Sequence, residues 1–189
     1  ASAAATSSPS SQATAPIQAS AEPRVIAVTP RVFVAVDYDF ANVIAIKTDD
    51  GMVVVDTAMS ANRARTIRQA LAEYAPGPIR AVIYTHSHVD HSGGAAAWID
   101  TETDVDVWAT DVFQDEVMLR YGTLREAELR RGIHEFGLEL GDAMPARSVR
   151  GPTPEPLATA GLPTFRLPTR TFDEHVSFTI GNVEFALYA

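Results

Sequence analysis

The 189-residue chain has no cysteine, so no disulfide can form, and any metal it binds must be held by nitrogen or oxygen rather than thiolate. Lysine is nearly absent too. Lys47 is the only one, and the cationic side chains are otherwise arginine, whose guanidinium can bind oxyanions bidentately but which decides nothing by itself. The net charge of −9 argues against a nucleic-acid or anionic-membrane surface. No apolar run approaches the roughly 20 residues needed to cross a bilayer. Charge is missing altogether before Glu22: residues 1–22 are almost entirely Ala, Ser, Thr, Pro and Gln. Too little apolar side chain is present there to offset the entropy of ordering, which predicts a disordered leader. It lacks the basic start and apolar stretch of a signal peptide. Such tails commonly follow a removed signal or lipid-anchor segment, which favours an extracytoplasmic location; a cytosolic linker is the alternative reading. The remaining 23–189 has the hydrophobic content, 46% over the chain, of an ordinary folded domain with a sizeable core.

What the chain does have is Thr85-His86-Ser87-His88-Val89-Asp90-His91-Ser92-Gly93-Gly94, with three imidazoles and a carboxylate inside six residues. It follows the apolar run 79–84 and precedes an Ala-rich segment, which reads as strand, loop and helix start. Imidazole and carboxylate suit Zn²⁺ or another divalent first-row metal, and gathering four such groups without a cation is costly. His86 and His88, two apart in an extended turn, leave the backbone on the same side and can grip one ion, while Asp90 and His91 lie past the bend. Two ligand pairs suggest two adjacent metals.

The pattern around this stretch is that of a mixed α/β protein. Strands are expected over 25–28, 32–36, 43–47 and 52–56, an antiparallel meander whose last turn, Thr48-Asp49-Asp50-Gly51, has the Asp-Gly pair suited to positive φ. The run 52–55 is apolar on both faces and therefore central. Residues 60–74 carry Ala64, Ile67, Ala70, Leu71 and Tyr74 at helical spacing with Arg63, Arg65 and Arg68 outward, and Pro76-Gly77-Pro78 ends that helix. Strand, crossover helix and strand place the loop at a strand's carboxyl end. Asp56 has two readings, a cap for the helix or a carboxylate that orients a ligand histidine. Gly93 and Gly94 let the backbone pass close beneath the metals, and a helix starts over 95–99. A strand is expected over 105–109, then a helix capped by Asp111 to about 121 and a solvent-facing helix over 124–136, where Glu126 and Arg130 pair and His134 is a surface residue. Residues 141–170 read as a long loop. Val176, Phe178 and Ile180, a Gly181-Asn182 turn, and Val183, Phe185 and Leu187 make a closing hairpin.

The ligand stretch resembles the metal-binding signature of the metallo-β-lactamase superfamily. Asn42 to Ile46 and Gly51 to Thr57 resemble the strands that open that fold, and the likeness covers most of residues 24–189. The wording Tyr84 to His91, the Arg-rich helical insert, and Leu167-Pro168-Thr169-Arg170-Thr171-Phe172 are most similar to the alkyl sulfatase branch. The resemblance implies an αββα sandwich, an α/β fold of the α+β kind, incomplete at the C-terminus, with 23–189 as the N-terminal part of the domain. It implies Zn²⁺, two per complete site, on His86, His88, Asp90 and His91. Such metals lower the pKa of a bound water from about 15.7 to about 7. Asp90 would then be the catalytic group that orients the resulting hydroxide, and Asp56 the carboxylate behind a ligand histidine. The substrate implied is a small alkyl sulfate ester; a lactone, thioester or β-lactam would use the same loop. Four side chains give two per metal where a catalytic zinc has three, so further ligands are expected beyond position 189 or from a second copy in a homo-oligomer. Asp173, Glu174 and His175 are the nearby alternative, although acids beside a hairpin are ordinarily solvated. A fragment that binds metal weakly and turns over nothing is the competing reading.

Overall fold

The computed structural model describes residues 22–99, 105–135 and 163–189. The leader expected over 1–22, apart from residue 22, and the part of the long loop over 141–162 lie outside the described residues.

Four strands open the described chain, β1 (Arg24–Ala27), β2 (Val32–Val36), β3 (Val43–Thr48) and β4 (Gly51–Val55), each antiparallel to the one before. Helix α1 (Ala61–Ala72) then returns the chain so that β5 (Ile79–Ile83) lies parallel to β4. Strands β6 (Asp106–Thr110) and β7 (Arg170–Phe172) extend the parallel part, giving one seven-stranded sheet in the order β1-β2-β3-β4-β5-β6-β7. A separate hairpin, β8 (His175–Ile180) with β9 (Val183–Tyr188), closes the described chain.

Alternation along the strands divides the core in two. From β4, Met52 and Val54 face one side with Ala64, Ile67 and Leu71 of α1 and with Trp98; Val53 and Val55 face the other with Phe178 and Phe185 of the hairpin. β5 divides likewise, Val82 to the helix side and Ala81 and Ile83 to the hairpin side. Trp108 of β6 stacks on Phe178 at 4.3 Å between ring centroids, and Phe178 on Phe185 at 5.3 Å, so aromatic surface ties hairpin to sheet. The result is a helix layer, a central sheet and a two-stranded second sheet.

Ser60 caps α1 by accepting a hydrogen bond from the Arg63 amide. Of the three arginines expected to face outward, Arg65 does so, whereas Arg63 donates to the Tyr38 carbonyl and Arg68 to the Ala97 carbonyl, anchoring loops to the helix. Three expectations need correction. Residues 95–97 form a single 3₁₀ turn rather than the start of a longer helix, and the Trp98 indole that follows donates to the Thr57 carbonyl. Asp111 caps nothing: helix α3 (Phe113–Val117) begins after Val112 without a side-chain cap, and the Asp111 amide is instead used by the Phe172 carbonyl. The stretch called loop up to 170 ends in β7, whose pairing with Trp108, Ala109 and Thr110 supplies the order its sequence pattern does not. After α3 the chain widens into a π-helical turn (Met118–Thr123) and continues as α4 (Arg125–Glu135), where Arg130 and Glu126 pair at 3.4 Å.

Candidate metal centre

The carboxyl ends of β4, β5 and β6 converge, and each sends its following loop to the same place. Asp56 follows β4, the His/Asp stretch follows β5, and α3 with its π turn follows β6. Parallel strands put their carboxyl ends on one edge, which is where open α/β sheets gather reactive groups.

The loop is anchored before its first histidine. Tyr84 is buried, stacks on Phe113 at 4.7 Å and donates to the Arg166 carbonyl at 3.0 Å. Burial raises its phenol far above the ordinary range, so it serves as a fixed neutral post. Asp56 stands at φ 62° and reaches across to the loop. Its Oδ1 accepts from the Thr85 amide at 2.9 Å and from the Thr85 hydroxyl at 3.0 Å, while Oδ2 lies 2.6 Å from His91 Nδ1. Of its two sequence readings, the helix cap belongs to Ser60 and the contact with a histidine to Asp56.

Beyond His88 the chain makes one short helical turn, α2 (Val89–Ser92), which carries Asp90 and His91. The His91 carbonyl accepts from the Thr57 amide at 2.7 Å and from its hydroxyl at 3.0 Å, and the Gly94 amide donates to the Ala58 carbonyl at 2.8 Å. The glycine pair is needed for this docking. A Cβ at Gly93 would stand 2.2 Å from the Met59 carbonyl oxygen, and one at Gly94 would stand 2.0 Å from that of Thr57. The close approach seen at these glycines is to the 57–59 backbone, a surface that the expected passage beneath the metals did not include.

Three imidazoles thereby come together. The His86 ring meets His88 edge-on at 4.6 Å and His91 at 4.0 Å, and His91 Nε2 lies 3.4 Å from Asp90 Oδ2. His91 is buried enough to lower its pKa, but its hydrogen bonds to the Asp56 and Asp90 carboxylates outweigh this and raise it to about 9. His86 is lowered by burial and by the neighbouring His91 and His88. Burial works to raise Asp90, and the hydrogen bond and charge of His91 overcome it, so that its carboxyl lies below the usual range. Asp39, from the β2–β3 loop, accepts from the Met59 and Phe40 amides, and burial raises its carboxyl. His134 lies exposed on α4, and His175 is occupied with Ser177 and Tyr188 on the hairpin.

The donor set fits a divalent cation. Nδ1 of His91 is taken by Asp56 and Nδ1 of His86 lies 3.0 Å from the Thr85 hydroxyl, so each ring is held through Nδ1, as metal-binding histidines commonly are, while His91 Nε2 faces Asp90 at 3.4 Å. The set is not a closed cage: among the described residues, no group of three or more His, Cys, Asp or Glu side chains is placed to hold one ion. Nor is any helix among them long and apolar enough to cross a membrane.

Sequence reasoning missed Glu116 and Tyr121. The Ser87 hydroxyl donates to Glu116 Oε2 at 2.6 Å, and the Val89 amide donates to the Tyr121 hydroxyl oxygen at 2.7 Å. No local pattern announces either contact, because 29 and 32 residues separate the partners.

A layered α/β protein with a His/Asp loop at the carboxyl ends of its parallel strands is thus defined. Residues 36–179 match the metallo-beta-lactamase superfamily, and the chain belongs to it. It is 29% identical over 143 residues to a linear primary-alkylsulfatase of Pseudomonas sp. (strain ATCC 19151), covering 74% of this chain and 27% of that protein. It is 34% identical over 117 residues to an (R)-specific secondary-alkylsulfatase of Pseudomonas sp., covering 59% of this chain and 18% of the other. Among solved structures, the stereoselective inverting sec-alkylsulfatase Pisa1 from Pseudomonas sp. superposes with a TM-score of 0.73 at 26% identity, over 88% of this chain and 27% of that one. The matched part therefore spans about a quarter or less of these relatives' length.

Proposed function

We propose that the chain supplies metal-binding residues to a hydrolase that cleaves alkyl sulfate esters to alcohol and sulfate. The observation that carries this reading is the gathering of His86, His88 and His91 beside Asp90, with His91 held from behind by Asp56. The sulfate ester is favoured over a lactone, thioester or β-lactam by the similarity to the two Pseudomonas alkylsulfatases.

His86, His88, Asp90 and His91 would hold zinc or another divalent ion, which when bound makes water acidic enough to ionise near neutral pH and offsets negative charge on substrate oxygens. The residues of the chain have their own parts. Asp90, half-buried beside His91, orients a water and takes its proton. Asp56 fixes the His91 ring and its tautomer, so that Nε2 faces the site. Thr85 joins these groups, its hydroxyl lying within hydrogen-bonding distance of Asp56 and of His86 Nδ1.

Two measurements test this. Zinc content after equilibration is expected to fall by at least one ion per chain in His88→Ala; a variant with undiminished zinc would remove His88 from the donor set. Sulfate release is then followed over a panel of medium-chain alkyl sulfates, a lactone, a thioester and a β-lactam. Turnover of any of the last three in preference to the sulfates would overturn the substrate assignment.

A further inference from the structure

The ligand loop alternates. His86, His88 and Asp90 occupy even positions, and Ser87 and Val89 stand between them. Ser87 is only 1% exposed, directed away from the exposed His86. Its hydroxyl is bonded to Glu116 at 2.6 Å, and two residues on, the Val89 amide is bonded to the Tyr121 hydroxyl at 2.7 Å. The backbone of His88, extended at φ −66° and ψ 148°, is therefore pinned on both sides by one structural segment, and its carbonyl is used in turn by the Ser92 amide and hydroxyl.

That one segment can do this is a consequence of its helical geometry. Glu116 and Tyr121 are five residues apart, and on a regular α-helix side chains five apart diverge by about 140°. A π turn closes a wider ring, between residues five apart, and brings such side chains back toward one face. The turn over Met118–Thr123 is of this kind, with the Leu124 amide bonded to the Leu119 carbonyl at 2.7 Å. The widened turn is what allows Glu116 and Tyr121 to reach loop positions two apart.

We infer that α3 and its π turn form a clamp on the ligand loop, in which Glu116 and Tyr121 are positioning residues that aim His88 and Asp90 toward a metal. The inference rests on the metal-site reading above for its purpose, but the clamp itself is a statement about the loop. Neither residue needs to touch an ion or a substrate; each acts through the peptide next to a donor. Outer partners of this kind commonly change metal affinity by about 10–100-fold when removed.

The test uses Tyr121→Phe, which deletes one hydroxyl and keeps the ring contact with Phe165, and Glu116→Gln, with Glu126→Gln on α4 as the control. Amide hydrogen exchange at Val89 and the ring signals of His88 are followed in the metal-free chain. Zinc affinity is measured by competition with a chromophoric chelator, and melting temperature is recorded alongside. Tyr121→Phe is expected to speed exchange at Val89 at least tenfold, and both variants to weaken zinc about tenfold or more at a nearly unchanged melting temperature; the control should move neither. Wild-type protection at Val89 with unshifted His88 signals in both variants would overturn the clamp. A loosened loop that binds zinc as the wild type does would overturn the positioning role. Should the unmodified chain bind no zinc at all, the proposed function falls, while exchange at Val89 and the His88 signals still decide the clamp.

Discussion

Asp56 Oδ2 and His91 Nδ1 lie 2.6 Å apart although 35 residues separate them in the chain. The contact joins the end of β4 to the turn after β5, and the other carboxylate oxygen accepts from Thr85 at the loop's start. One buried side chain thus holds both ends of the loop that carries the three imidazoles.

Replacing Asp56 by Ala should strand the Thr85 amide and release the His91 ring. A loss of about 2–3 kcal/mol in a urea titration is expected, the cost of buried hydrogen-bonding groups left without a partner. Asp56→Asn should lose less, since Asn tolerates the positive φ and keeps an acceptor for Thr85. Equal stability of the Ala variant and the wild type would show that the loop is held by other contacts.

The glycines offer a paired comparison. Gly94→Ala would drive a methyl against the Thr57 carbonyl oxygen at 2.0 Å and the Ala64 side chain at 2.7 Å, so the loop has to shift off α1. About 3 kcal/mol of stability should be lost. Gly122→Ala meets nothing within 4 Å and should leave the melting temperature unchanged or raise it slightly through the unfolded state.

Ala58 is held at φ 69° and fully buried, a conformation in which its own Cβ crowds the backbone. Ala58→Gly should relieve that strain and stabilise the chain by about 1 kcal/mol. A lower melting temperature for the glycine variant would mean that packing of the methyl outweighs the strain.

Asp39 carries a prediction in pH. Burial raises its carboxyl above the ordinary 3.8 in the folded chain. A raised folded value means that its contribution is fully present below the unfolded value and is lost as pH rises through the folded one. Asp39→Asn, which cannot ionise, should therefore gain stability relative to the wild type as pH rises from about 4. Thermal melts of both proteins between acid and neutral pH check this; a difference that does not change with pH would refute it.

The amino-acid sequence by itself determined the elements that short-range physics governs. Short apolar runs specified β2 to β5 and alternation the β8–β9 hairpin, the Asp50-Gly51 turn joined β3 to β4, and helical spacing at Ala64, Ile67 and Leu71 specified α1. The cluster of His86, His88, Asp90 and His91 was legible because its residues are neighbours. Tertiary structure alone decided the rest. β7 has three residues, two of them exposed, and takes its form from pairing with β6 more than sixty positions earlier. Asp56 could have capped α1 or met His91; the fold settled the choice by placing the ends of β4 and β5 side by side, with Ser60 left to cap the helix. Glu116 and Tyr121 reach the loop only because the chain widens into a π turn at the right point. Periodicity and turn chemistry act over a few residues and leave a mark in the sequence, whereas a contact between distant side chains exists only once the sheet has set the strand ends that carry them.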